Sequence, residues 1–257
     1  MKKAITLLLG LSILAASCTS LRSVRKRGPD INHSLKIEYT PYRIQLLKEY
    51  AEAHYSHYYL ETSGSPEWPG IEIDPKVIVL HYTAVPTLEK TMDVFAPDTL
   101  QGRAYLNQSG KANVGVQFLV DRDGSIYQIT PDNYFNRHCI GLNHCAIGFE
   151  NIGTADISEA ALLGETPEGT HLTLHQVKAN IALVRHLKKK YPGIEILIGH
   201  QEYRQLEDPS HPGHQYFHEN DPDYRTKKSD PGENFMKAVR DGLQDMLKPG
   251  SYGQVFN

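Results

Sequence analysis

Two apolar runs that each stop on a histidine constrain this chain more than any other feature. The first is Val77-Ile78-Val79-Leu80-His81, continued by Tyr82 and Thr83; the second runs from Ile194 to Ile198, with Gly199 and His200 behind it. Short, unbroken apolar runs bounded by turn-forming residues predict buried strands. A third piece, Lys228-Ser229-Asp230-Pro231-Gly232, follows a long polar stretch and offers a carboxylate at a Pro-Gly turn. A catalytic zinc takes three protein ligands of the His, Asp, Glu or Cys type and keeps one position open for water. His81, His200 and Asp230 are suitable types for one such ion, on supports that a sheet brings together. On residue type alone the plainer alternative stands beside it: two strand-end capping histidines and an ordinary turn. His211, His214 and His218 lie closer together in sequence, but a Pro- and Gly-rich loop gives them no fixed common face, so they are read as solvated.

At 257 residues the chain suffices for one sizeable domain with additions. A net charge of −3 gives no global signal for a nucleic-acid partner. Residues 1–18 read as an export signal. Met1-Lys2-Lys3 is basic, Ala4 to Ala16 is apolar but short for a membrane span, and Leu14-Ala15-Ala16-Ser17-Cys18 resembles a bacterial lipobox. That resemblance implies a lipidated Cys18, a membrane partner through the lipid anchor, and a location in the cell envelope. Thr19 points to the outer membrane, facing the periplasm. An ordinary cleaved signal peptide with an incidental cysteine is the alternative. Residues 19–39 are polar and basic and read as a flexible tether; residues 40–70 hold a helix and a loop; residues 71–257 form the main domain.

Thr40-Pro41 predicts an N-cap with proline at the first helical position, opening an amphipathic, tyrosine-rich helix to Tyr58. Its tyrosines either line a groove or pack on the domain. Thr87 to Phe95 predicts a helix and Asp98 to Asn107 a second, short one. Val114 to Asp121 and Ser125 to Ile129, around Asp123-Gly124, predict a hairpin. In the next strand, Ala146 to Glu150, parity puts Ile147 and Phe149 on one face and Gly148 and Glu150 on the other. Residues 155–168 read as a loop. Thr170 or Thr173 caps a long helix to Tyr191, and Glu233 to Leu247 closes the domain. Mixed hairpin and crossover connections predict the α/β class, a mixed central β-sheet flanked by helices. Cys139 and Cys145, with five residues between them, are either a short-loop disulfide or two buried thiols.

Taken together, the His81 strand, the hairpin around Asp121 to Gly124, Ile147-Gly148-Phe149-Glu150-Asn151, Ile198-Gly199-His200, and Lys228 to Gly232 with Phe235 occur in the order of a known family. The region from about Pro75 to Leu247 resembles the amidase-2 family, the zinc-dependent N-acetylmuramoyl-L-alanine amidases. These are related to amidase-type phage lysozymes and peptidoglycan recognition proteins. The resemblance implies that His81, His200 and Asp230 hold one zinc ion, that Glu150 activates water and that Lys228 stabilises the oxyanion. It implies a peptidoglycan or muropeptide substrate, cut between muramic acid and L-alanine, and a monomeric enzyme. Tyr82, Thr83 and His138 are candidate substrate-binding residues, with packing as the alternative. The chain departs from the family pattern at Gly115 and Gln117, at Arg137-His138, and in a longer 201–227 loop that suggests an added wall or lid. Two other functions remain open: a non-catalytic peptidoglycan-binding module of the same fold, and a zinc peptidase acting on cell-wall cross-links. No HExxH motif supports the second.

Overall fold

A computed structural model describes residues 28–55, 71–102, 104–251 and 253–257. Cys18 with its signal segment, residues 19–27 of the tether, the predicted end of the first helix at Tyr58 and the loop to residue 70 lie outside the described residues, whereas 28–39, read from sequence as tether, packs on the domain with Ile37 and Tyr39 buried. The chain enters through a two-residue strand, β1 (Ile31–Asn32), and a helix, α1 (Pro41–Tyr55). The Thr40 hydroxyl accepts a hydrogen bond from the Arg43 amide at 3.0 Å, the expected cap. There follow β2 (Val77–Tyr82), α2 (Leu88–Phe95), α3 (Ala104–Asn107), β3 (Phe118–Val120), β4 (Ile126–Gln128) and β5 (Ala146–Asn151). Then come α4 (Glu159–Leu162), α5 (Leu174–Lys190), β6 (Ile196–Gly199), two 3-10 turns (His200–Glu207 and His214–Tyr216) and α6 (Glu233–Asp241). The strands form one mixed sheet in the order β1-β4-β3-β5-β2-β6. β2 lies parallel to β5 and β6, and β3 is parallel to β5 but antiparallel to β4. Among the described residues no helix is long and apolar enough to cross a membrane.

Side-chain alternation sorts the central strands into two buried faces. Ile78, Leu80, Ile147, Phe149 and Leu197 join Val177, Leu183, Val184 and Leu187 of α5 and Phe235 and Val239 of α6 in one core. Val77, Val79, Ala146, Ile196 and Ile198 belong to a second core with Leu46, Leu47, Tyr50 and Tyr55 of α1. Each of these large side chains contributes about 1.5–3 kcal/mol by leaving water. The α1 tyrosines in this core are packing residues, although Tyr50 also reaches a cleft described below. Thr87 caps α2, and Thr173 caps α5 through a capping box with Gln176, which decides between Thr170 and Thr173.

Three local expectations change, and one open alternative is decided. Helix at Asp98 is pre-empted, because its carboxylate accepts from the Thr40 hydroxyl at 2.6 Å and from Arg43 Nε at 3.2 Å. The Leu100 amide bonds to the Lys111 carbonyl instead, and only Ala104–Asn107 is helical. The 155–168 segment carries α4, capped by Ser158. The closing helix stops at Asp241, where Gly242 passes so close to Ile181 that a Cβ would lie 2.3 Å from its Cδ1. Cys139 and Cys145 are buried free thiols, not a disulfide.

A fully buried amide network stitches α5 to the strand ends behind His81. Asn151 Nδ2 donates to the His81 carbonyl at 2.9 Å, Asn180 Nδ2 donates to Asn151 Oδ1 at 2.6 Å, and Gln176 Nε2 donates to the Val120 and Ile152 carbonyls at 3.0 Å. Asn180→Leu strands the Asn151 acceptor and is expected to cost about 1–3 kcal/mol. A urea midpoint lowered at unchanged m-value checks this; an unchanged midpoint contradicts it.

Candidate metal centre

The site lies at the C-terminal ends of β2, β5 and β6. The register sets His81 beside Glu150 and Leu80 beside Gly199, so His81, Glu150 and His200 emerge together where both cores end. His200 opens the first 3-10 turn, whose Glu202 carboxylate accepts from the Gly199 amide at 2.8 Å and pairs with Arg240 at 2.6 Å. Asp230 comes from the far side of the long loop. Its carbonyl accepts from the Gln201 amide at 2.9 Å, which ties it to the His200 turn. Two residues on, Gly232 has φ +101° and a Cβ there would lie 2.2 Å from Asp156 Cγ. Only glycine lets the chain pass this close. The Asp156 carboxylate accepts from the Asn234 and Phe235 amides, both at 2.9 Å, and so caps α6 directly after the Asp230 turn.

These supports bring three donors to one point. His81 Nδ1 and His200 Nδ1 are 2.9 Å apart, and Asp230 Oδ2 lies 3.2 Å from the first and 3.0 Å from the second. Among the described residues this is the one His/Cys/Asp/Glu group placed to hold a metal ion. His211 instead bonds to Gln254, His214 to the Leu206 carbonyl and His218 to Asn220. Burial lowers the His81 pKa to about 4 and lowers that of His200, with the Lys228 charge acting in the same direction. Burial opposes ionisation of Asp230, but His200 and His81 beside it hold its carboxyl well below the usual carboxylate range. At neutral pH the group is therefore two neutral imidazoles and one carboxylate, a donor set that suits zinc.

A cleft of about 290 Å³ opens over this group. Half-buried Glu150 and Lys228 both line it, as do Tyr82, Thr83 and His138. The Tyr82 hydroxyl lies 3.3 Å from Ser229 Oγ. Thr83 Oγ1 donates to the Val85 carbonyl at 2.7 Å and accepts from the Gly153 amide at 3.2 Å, pinning the turn that holds Ala84 at φ +54°. His138 Nδ1 lies 3.1 Å from His81 Nε2, behind the metal donors.

The departures at Gln117 and Arg137 are structural. Gln117 Nε2 donates to the Tyr134 carbonyl at 2.6 Å, and its Oε1 accepts from the Gly148 amide at 2.7 Å. Arg137 donates to the Leu106, Gly110 and Ala112 carbonyls and to the Tyr224 hydroxyl, with its guanidinium 4.5 Å above the Tyr50 ring. Tyr50 from α1, Arg137 and Tyr224 from the long loop close one side of the cleft. The extra loop is thus a wall, shared with α1. Tyr50 belongs to the helix whose tyrosines had a groove as one of two readings; Arg137 and Tyr224 were not identified as site residues from sequence, where the loop length was the hint to Tyr224.

Comparison with solved structures returns proteins of related description. One is an endolysin N-acetylmuramoyl-L-alanine amidase from Clostridium intestinale URNW, 24% identical, covering 74% of this chain and 94% of that one, with a TM-score of 0.39. Another is the endolysin of a Thermus scotoductus MAT2119 bacteriophage, at 22% identity, 60% and 85% coverage and a TM-score of 0.35. A third is peptidoglycan recognition protein-LE in complex with tracheal cytotoxin, at 19% identity, 60% and 84% coverage and a TM-score of 0.38. No curated protein sequence matches the chain. The family model described as N-acetylmuramoyl-L-alanine amidase matches residues 72–233. That span is more than half of the chain and contains His81, Glu150, His200, Lys228 and Asp230, so the chain belongs to the N-acetylmuramoyl-L-alanine amidase family.

Proposed function

We propose that this protein hydrolyses the amide bond joining the lactyl group of N-acetylmuramic acid to L-alanine, in peptidoglycan or muropeptides, with one zinc ion held by His81, His200 and Asp230. The observation that carries the reading is the convergence of those three donors in a cleft that also holds Glu150 and Lys228. Zinc held there would lower the pKa of a water toward neutrality and polarise the scissile carbonyl. The chain's own groups do the rest. Glu150 takes a proton from the attacking water as its oxygen bonds to the carbonyl carbon, and delivers that proton to the amine nitrogen as the C–N bond breaks. The Lys228 ammonium stabilises the negative charge that develops on the carbonyl oxygen. Tyr82 and Thr83 shape the rim against which the substrate lies.

Digestion of purified muropeptides, with products identified by mass, tests the reading. The expected product is a free stem peptide beginning with L-alanine, lost on chelation and restored by zinc. Products cut within the peptide would instead assign a cell-wall peptidase. Binding without cleavage by the zinc-loaded protein would assign a recognition module.

A further inference from the structure

We propose that His138 is a positioning residue that fixes which nitrogen His81 presents to the metal, through a two-step hydrogen-bond relay anchored on the Ala146 carbonyl. The proposal rests on His81 being a metal ligand, as above. The relay follows from donor and acceptor chemistry. A carbonyl only accepts, and His138 Nε2 lies 3.3 Å from the Ala146 oxygen, so Nε2 carries hydrogen. In a neutral imidazole the other nitrogen is then the acceptor. His138 Nδ1 lies 3.1 Å from His81 Nε2, which must therefore be the donor. The lone pair of His81 is left on Nδ1, the atom that faces His200 Nδ1 at 2.9 Å and Asp230 Oδ2 at 3.2 Å. A ligating histidine whose second nitrogen donates to a fixed acceptor has both its tautomer and its ring orientation set.

The ring of His138 sits in a built cradle. Gly148, opposite Val79 in the β2–β5 register, lies beneath it, and a Cβ there would come within 2.9 Å of His138 Nδ1 and 3.0 Å of its Cε1. The Gln117 amide braces the strand at that point through the Gly148 N–H. At the root of the side chain, Asn143 Oδ1 accepts from the His138 amide at 2.8 Å and the Cys139 amide at 2.7 Å. Both ring nitrogens of His138 are engaged inside the protein. His138 lines the cleft, and its two ring nitrogens are turned to the metal ligand and to the Ala146 carbonyl.

Zinc affinity by chelator competition, thermal unfolding and histidine-ring 15N NMR of the full protein together test the relay. His138→Gln removes the acceptor at the Nδ1 position and is expected to weaken zinc binding by about 10- to 100-fold in a protein that still unfolds cooperatively. His138→Asn keeps an oxygen acceptor near that position and is expected to recover most of the affinity. Gly148→Ala leaves the imidazole intact but takes its space, and is expected to resemble His138→Gln. In the metal-free wild type, NMR is expected to find hydrogen on His81 Nε2 and none on Nδ1, with the two tautomers mixed in His138→Gln. Wild-type zinc affinity and an unmixed His81 tautomer in His138→Gln would overturn the relay. So would a ranking of Gln above Asn, since Gln is nearer to histidine in volume and would be favoured by packing alone. If the wild type binds no zinc, the metal-centre reading fails, and the NMR tautomers of the metal-free protein still decide the relay.

Discussion

Glu150→Gln is expected to leave the fold and zinc binding intact while lowering kcat by about 10²- to 10⁴-fold, the span associated with a positioned general base. The size of the effect follows from where Glu150 sits. It is carried by β5, in register with His81 on β2, so a rigid sheet and not a loop holds it in the cleft beside the three donors. Glutamine has nearly the same shape and keeps the side chain on that face, but its amide does not accept the proton from water. The strand is anchored elsewhere: Ile147 and Phe149 point into the opposite core, and Gly148 bonds to Gln117. Single-turnover release of stem peptide, with zinc stoichiometry and a urea melt on the same sample, checks all three parts. A kcat within a few-fold of wild type would move the base elsewhere.

The parts of this site that were legible in the sequence are those governed by local rules. A run of β-formers ending in histidine announces a strand and what stands at its end. The two-residue repeat of a strand then places Glu150 on the face opposite Ile147 and Phe149 without further information. Thr40 and Thr87 were legible as caps for the same reason, since capping is settled within one turn of helix. The arrival of Asp230 was not. It depends on the Gln201 amide reaching the Asp230 carbonyl and on Asp156 capping a helix more than 70 residues further along the chain. Asp98 failed as a helix start through the same kind of long-range contact, its carboxylate being taken by Thr40 and Arg43. His138 and Arg137 were visible as residues but not as roles. A ring nitrogen or guanidinium gets its function from the partner it meets, and here most of the partners are backbone carbonyls, which carry no sequence signature.

Asp230→Asn is expected to abolish amide cleavage by removing the metal, the opposite route from Glu150→Gln. The substitution is again nearly isosteric, so it isolates charge. Asp230 supplies the negative charge among the three donors, and the Lys228 charge is felt at both His81 and His200. With a neutral amide at 230, a divalent cation would meet two neutral imidazoles and no anionic ligand, with the Lys228 charge nearby. Zinc affinity is expected to fall by more than about 100-fold, beyond the upper range for residues that only orient a ligand. The turn itself should persist, because its backbone does the holding: the Asp230 carbonyl to Gln201, and Gly232 packed against Asp156. An unchanged melting temperature of the metal-free variant separates lost coordination from lost structure. Two equally small carboxylate-to-amide changes in one cleft should thus give opposite zinc stoichiometries at the same fold stability. Full zinc occupancy in Asp230→Asn would remove Asp230 from the ligand set and reopen the choice of the third donor.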